Sequence, residues 1–464
     1  VVWGEVEVPA KGRFVDRATG GESWRKYDRI VDLAGEYGLD LILRVDTAPA
    51  WARPGRPKLE TPPARFEDYA DFVGVLAARY RGRVRYYQVW NEPNIPFEWG
   101  DEAPDPGAYT HLLWLASERI HAVDPDAAVL SAAMAPTTEF SEHGINELRY
   151  LQAMYDAGAR GSFDILGANA YGLRSGPDDR RLALDRDVNF SRPVLVRRLM
   201  VRNGDAGRPI WAAEVGWSAV PDGSGIPDLW GRVDRQTQAA YSARAFERAQ
   251  REWPWMGVMS LWHFRLVGPN VRELPQYYFN AVDDDFRPLP LYDAMRELTH
   301  RPRAMQRGYR QEDDWNLVYS DGWQARRSPQ AVLGGYREAA GPASFGLSFD
   351  GTDLALVVDR LPGGGALAVR VDGLPAVELS LDAPREEWGR QLPVAVGLAD
   401  GRHVLEAHTL DARPVRLDGL IVDRRERWPG LTPDTLLIAV GALVGLLAIG
   451  RALAAASAEA RERA

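Results

Sequence analysis

No cysteine occurs anywhere in the 464 residues, which excludes disulfides, thiolate metal sites and cysteine nucleophiles. Histidine is nearly as scarce: seven residues, scattered, with no HExxH or comparable pair to hold a catalytic metal. Positive charge is in deficit too. A net charge of −9 leaves no basic face of the kind a phosphate backbone needs, and argues against nucleic acid as a partner. No glycine-rich phosphate loop follows any strand-like run, which weakens a doubly wound nucleotide-binding sheet. Nothing in the sequence calls for a cofactor.

What the chain does have is tryptophan, 16 of them, and a hydrophobic fraction of 45%. That describes a large core and many flat aromatic surfaces. Up to about residue 300, strand-like runs alternate with amphipathic helices. The runs are "VVWGEVEV" at the start, "LDLILRVDT" (39–47), "VRYYQVW" (84–90) and "AAVLSAAMA" (127–135). "FDILGANAY" (163–171), "RPIWAAEVGWS" (208–218) and "MGVMSLWHF" (256–264) continue the series. Several are almost continuously apolar, as parallel strands covered on both faces are. Between them, Trp24, Tyr27, Val31, Ala34 and Tyr37 share one helical face before Gly38, and Phe66, Tyr69, Val73, Leu76 and Tyr80 share another. Repeated βα units of this spacing indicate an α/β fold, expected to be a (β/α)₈ TIM barrel over 1–301. Seven runs are present where eight are needed, so a first strand is expected before Val1.

After Arg301 the texture changes to short alternating runs separated by Gly, Pro and Asp, such as "SFGLSFDGTDLALVVDR" and "HVLEAHTL". This predicts an all-β sandwich over 302–423. An Arg-rich linker over 424–434 follows. The uncharged "TLLIAVGALVGLLAIG" then opens a stretch, 435–456, long enough to cross a bilayer as a helix. Together with a short tail over 457–464, it predicts a single-pass cell-membrane protein whose barrel lies outside the cytoplasm.

A barrel carries its active site at the C-terminal ends of its strands. Those ends hold Arg44 and Asp46, with Trp51 just beyond; Asn91 and Glu92; Asn169 and Tyr171; Glu214, with Trp217 following; and Trp262 and His263. A charged group at the end of a buried run costs free energy unless it is paired or functional. Two carboxylates across an aromatic-lined pocket are what glycoside cleavage requires, one protonating the leaving oxygen and one attacking the anomeric carbon or activating water. Each residue also has a structural reading: Glu92 as an exposed loop residue, Glu214 as a salt-bridged Glu in a sheet, Trp262 and Tyr171 as core. An ion pair at the rim accounts for Arg44 and Asp46 without a ligand, and His263 reads as structural.

The stretches "QVWNEPN" and "IWAAEVGWS" resemble the acid/base and nucleophile strands of glycoside hydrolase clan A, the retaining (β/α)₈ glycosidases. "RFEDYADFVGVLAARYRGRVRYYQVWNEPN" and "YYFNAVDDDFRPLPLYDAM" resemble its cellulase-type and β-xylosidase-like branches. The resemblance implies Glu92 as general acid/base, Glu214 as nucleophile, Asn91 on the sugar 2-hydroxyl, Tyr171 hydrogen-bonded to Glu214, and Trp262 as the floor of the −1 subsite. Asn169 stands where a His is common, and Arg44 matches the clan's substrate-site Arg only loosely. A carbohydrate substrate is therefore expected. The alternative is a non-catalytic carbohydrate-binding or cell-envelope protein on the same barrel.

Overall fold

A computed structural model describes residues 1–141, 143–182 and 187–425. They fall into two compact units, Val1–Arg303 and a second beginning at Ala304. In the first, six parallel strands follow one another in an arc: β1 (Ile42–Val45), β2 (Tyr86–Val89), β3 (Ala128–Leu130), β4 (Leu166–Tyr171), β5 (Ile210–Gly216) and β6 (Met256–Leu261). Strands β1 to β3 form one ladder and β4 to β6 another, and single bridges, Leu130 to Ile165 and Met134 to Ala168, join them. Helices Arg25–Glu36, Phe66–Tyr80, Pro106–Val123, Glu147–Asp156, Arg192–Arg202, Arg235–Glu252 and Pro290–His300 cover the arc. Tyr27, Val31 and Ala34 are buried on the first of these as their spacing predicts, while Tyr37 caps it and is exposed.

Trp3, Trp24, Trp90 and Trp99 belong to one aromatic column in the core of the first unit. Trp24 stacks on Phe72, Phe72 on Trp3, and Tyr69, Trp90, Trp99 and Tyr109 continue the line edge to face. Two tyrosines of this column also fix the strand ends. Tyr69 donates its hydroxyl to the Val45 carbonyl at 2.7 Å, and Tyr109 donates to the Val89 carbonyl at 3.0 Å while accepting from the Ala132 amide at 2.6 Å. Backbone groups that leave the ladder at these ends are thereby satisfied inside the core.

The expected architecture needs correcting in two places. The opening "VVWGEVEV" is not a strand over its length: Trp3–Val6 make one helical turn, and only Val1 to Gly4 run beside the end of β1, through the Val2–Asp46 bridge and the Trp3 and Gly4 amides, which donate to the Asp46 and Thr47 carbonyls at 2.9 and 2.8 Å. Trp3 explains this. Its fully buried indole donates to Glu7, four residues on, at 2.7 Å, a pairing that a helical turn allows and an extended strand does not. The described parallel strands are therefore six, in a mixed α/β arrangement, and not a complete (β/α)₈ set. The second correction concerns the membrane. Among the described residues no helix is long and apolar enough to cross one, and the anchor expected over 435–456 lies outside them. Over the described residues, the expectation of a transmembrane helix and a single-pass localisation is corrected: none of their helices can cross a membrane.

The strand ladders of the second unit are antiparallel, and two single parallel bridges, Met305 to Phe349 and Leu361 to Asp382, supplement them. One sheet runs in the order Val318–Tyr319, Ser344–Gly351, Gly401–Thr409, Ala366–Val371, Val377–Ser380. The other runs Gln324–Arg327, Gly335–Ala340, Pro414–Asp423, Asp353–Arg360, Glu387–Ala395, with Gly308–Gln311 also paired to Pro414–Asp423. The alternating runs of the sequence put Phe345, Leu347, Phe349, Leu356, Leu405 and Leu417 into a shared core. Three acids are buried alongside. Burial, and then the Asp418 charge, push Asp359 up to about 6, although Gly389 donates its N–H to one carboxylate oxygen. Burial pushes Glu312 up to about 7 and raises Asp418 as well.

These features generate two expectations. Unfolded carboxyls titrate near about 4, so between that pH and about 7 the unfolded chain holds fewer protons than the folded one, and stability falls as pH rises. Thermal unfolding of the full chain should therefore show a higher melting temperature at pH 5 than at pH 7.5. Asp359→Asn should shrink that difference by about 2–4 °C; an unaltered pH dependence would contradict the burial account. In the first unit, a methyl group at Gly172 would meet the buried Trp217 indole at 2.1 Å. Gly172→Ala should accordingly destabilise by about 1–3 kcal/mol, read as a lowered denaturation midpoint.

Candidate active site

The backbone turns sharply where β2 ends. Trp90 and Glu92 both adopt positive φ, 67° and 31°, a conformation that non-glycine residues rarely hold without tertiary support. The support is specific. The Glu92 amide donates to the Ala133 carbonyl at 3.2 Å. Fully buried Asn94 donates to the Ala135 and Ile145 carbonyls at 2.8 and 2.9 Å and accepts from the Ala135 amide at 2.8 Å. One carboxamide thus staples the loop after β2 to the loops after β3. The Trp90 indole N–H, bonded to the Glu98 carbonyl at 2.8 Å, closes the turn from the other side.

Around this loop the strand ends bring six of the sequence-predicted residues together. Asn169 and Glu214 are paired in the β4–β5 ladder, and Asn169 donates its amide to Glu92 at 2.6 Å. Two positions further along β4, the Tyr171 hydroxyl donates to Glu214 at 2.5 Å. Arg44 at the end of β1 reaches Glu214 at 3.5 Å, Asp46 at 3.0 Å and the Asn91 carbonyl oxygen at 3.0 Å. The two carboxyls consequently sit in unequal surroundings. Burial, reinforced by the Glu214 charge and then by Glu98, pushes Glu92 up to about 8, with Asn169 opposing. Burial raises Glu214 too, but Tyr171 and Arg44 both act to hold it ionised. Contacts that favour the charged form are thus concentrated on Glu214, and burial is opposed less at Glu92.

One wall of the site is aromatic. Trp262, at the end of β6 and joined to His263 by a cis peptide bond, lies edge-on to Tyr171 at 5.9 Å, to Phe279 at 4.9 Å and to Trp230 at 6.2 Å. His263 contacts Asn280 at 2.7 Å, and burial lowers its pKa, in keeping with a structural role. The structure does not bring the other two tryptophans to the cluster. Trp51 packs edge-on against Trp3 and bonds the Glu7 carbonyl at 2.8 Å. Trp217 is buried beneath Gly172 between Phe190 and Tyr241, its N–H on Ser175 at 2.8 Å.

Four contributors escaped the sequence reading: Asn94, Glu98, Trp230 and Phe279. Glu98, pushed up to about 7 by burial, hydrogen-bonds Asn91 and adds its charge to the field at Glu92. Its only sequence signal is being a second carboxylate six residues after the first. Trp230 lies in a stretch without periodicity, where only its residue type could have pointed to it. Among the described residues no group of three His, Asp or Glu side chains is arranged to hold a metal ion.

No known protein family matches the sequence, and no characterised protein does so by sequence. Solved structures do. The chain is similar to a family 39 glycoside hydrolase from the gut symbiont Bacteroides cellulosilyticus, with a TM-score of 0.50, 16% identity, and coverage of 91% of this chain and 74% of that one. A family 39 β-xylosidase from Caulobacter crescentus aligns with a TM-score of 0.43 and 18% identity over 87% of this chain and 86% of that one. An α-L-arabinofuranosidase from Thermotoga maritima gives 0.43 and 12% over 88% and 85%. The chain thus shares the fold of the clan A glycoside hydrolases, the group whose strand-end motifs "QVWNEPN" and "IWAAEVGWS" resemble.

Proposed function

We propose that this chain is a retaining glycosidase acting on β-glycosidic bonds, with Glu214 as nucleophile and Glu92 as general acid/base. The observation that carries this reading is the unequal contacts of the two half-buried carboxyls. The Tyr171 hydroxyl and the Arg44 guanidinium meet Glu214 and favour its charged form against burial, while Glu92 receives, among the described residues, only the Asn169 amide and its pKa is pushed up to about 8. In the first step the Glu214 carboxylate forms a bond to the anomeric carbon as the glycosidic C–O bond breaks, and the Glu92 proton passes to the leaving oxygen. Once Glu214 is esterified its charge is gone, so the Glu92 pKa falls and Glu92 is ready to act as a base. It then takes a proton from the water whose oxygen displaces Glu214 from the same carbon, and the starting arrangement returns with net retention. Asn91, oriented by Arg44 on one side and Glu98 on the other, is the group assigned to the sugar 2-hydroxyl. Trp262 is assigned to the apolar face of the ring being cleaved. The substrate is a poly- or oligosaccharide, and the second unit a spacer.

Aryl β-glycosides provide the test. Glu214→Gly should lose turnover by several orders of magnitude and regain it with azide, giving the α-glycosyl azide. Glu92→Ala should still react with good leaving groups in the first step, stall in the second, and yield the β-azide when azide is added. The reverse stereochemistry would exchange the two roles, and an inverted wild-type product would end the retaining mechanism. The wild-type pH profile carries its own expectation. Glu92 must be protonated to donate, so kcat/KM should fall as pH rises through about 8. In Glu92→Gln, assayed on an activated substrate, that alkaline limb should disappear.

A further inference from the structure

Beyond Trp262 and His263 the chain leaves β6 and builds a second aromatic feature on the same rim. Phe264 is 55% exposed and Phe286 59% exposed, although burying a phenyl ring contributes on the order of 2 kcal/mol. Their ring centroids are 6.4 Å apart, so the two rings form one surface. The Arg265 guanidinium lies 4.0 Å from the Phe286 centroid. Among the described residues its one hydrogen bond is to the Asp284 carbonyl, at 2.8 Å, so a planar cation with further N–H donors borders the rings.

Phe286 is held there against its own backbone preference. Its φ is +61°, in the left-handed region that a bulky side chain seldom enters without tertiary enforcement. The enforcement is a tight turn: Asp283 donates its amide to Arg287 at 3.0 Å, the Phe286 amide donates to the Asp283 carbonyl at 3.1 Å, and Val282 bridges Pro288. The Asp283 carboxylate accepts from the amides of Asp285 and Arg287, both at 2.9 Å. The phenyl ring at that apex remains mostly in solvent, so its own burial gives little return for the strain. Strain together with exposure at one rim position marks a residue kept for contact.

We infer that Phe264, Arg265 and Phe286 form a distal sugar subsite, binding a pyranose or furanose ring of the glycan beyond the two units that flank the cleaved bond. The occupant follows from continuity and chemistry. The platform is the direct continuation of the strand end that carries Trp262. A flat apolar ring pair suits the C–H face of a sugar, and a bordering guanidinium suits its hydroxyl edge. An anionic partner is disfavoured, because Asp283 to Asp285 line the turn and the neighbouring cations Arg272 and Arg287 are already paired with Asp284 at 2.7 Å and Asp285 at 3.4 Å. This inference rests on the glycosidase reading above.

The test measures wild-type kcat/KM on the linear β-1,4-linked di- and tetrasaccharides of xylose, glucose and mannose, and takes the pair that is cleaved fastest. Phe264→Ala and Phe286→Gly should each lower kcat/KM for the tetrasaccharide about fivefold to tenfold while leaving the disaccharide within about twofold. Arg265→Ala should lower the tetrasaccharide value in the same selective way. Phe286→Gly also separates binding from scaffolding: glycine takes positive φ without strain, so its melting temperature should equal or exceed that of the wild type. Equal losses on both chain lengths, no loss on either, or a lowered melting temperature for Phe286→Gly would each overturn the subsite. A wild-type chain that hydrolyses no glycoside in the panel would instead overturn the glycosidase reading and this inference with it.

Discussion

Two carboxyl groups near one another in a partly desolvated cleft cannot both ionise cheaply, and the architecture of the first unit is organised around that constraint. Asn169 donates to Glu92 from the strand paired with the one that carries Glu214. Tyr171 favours charge on Glu214, and Arg44, 3.5 Å from Glu214, favours the charged form of both carboxyls. The asymmetry comes from neighbours on β1 and β4, not from the glutamates themselves. Chemical difference between two identical side chains is thus a property of strand register.

Register in turn depends on groups remote from the chemistry. Tyr69 and Tyr109 donate from neighbouring helices to the strand-end carbonyls of Val45 and Val89, the first of which also accepts from the Trp90 amide at 3.0 Å. Asn94 does the corresponding work for the loop in which Glu92 sits. Such bonds are individually worth about 1 kcal/mol net. Their leverage lies in geometry, because each fixes the backbone within a few residues of a site side chain.

The sequence made the strand ends legible because each is a polar or charged residue breaking an apolar run. That is how Arg44, Asn91, Glu92, Asn169, Tyr171 and Glu214 could be picked out, while Trp262 was marked by the family resemblance. It failed for Trp51 and Trp217, which follow strand ends just as closely but turn towards Trp3 and Phe190. Side-chain direction in a loop is set by tertiary neighbours, and no periodicity reports it. Glu98 and Trp230 were invisible for the same reason. The opening "VVWGEVEV" misled in another way, since it reads as one more strand-like run whereas the Trp3–Glu7 contact suits a turn. In the second unit, strict alternation along Ser344–Gly351 marked a strand with one buried face, but gave no hint that Asp359 and Asp418 would be buried in the partner sheet.

The tyrosine pins have an evolutionary corollary. A rim held by two phenolic oxygens, each projected from a helix, constrains only where those oxygens end up. The remaining helix faces are then free to exchange one apolar side chain for another so long as the volume is conserved. Divergence under such a rule erodes identity over most of the chain and spares the position of a few polar atoms. A chain pinned in this way can therefore accept wide change in its core without losing the geometry of its strand ends.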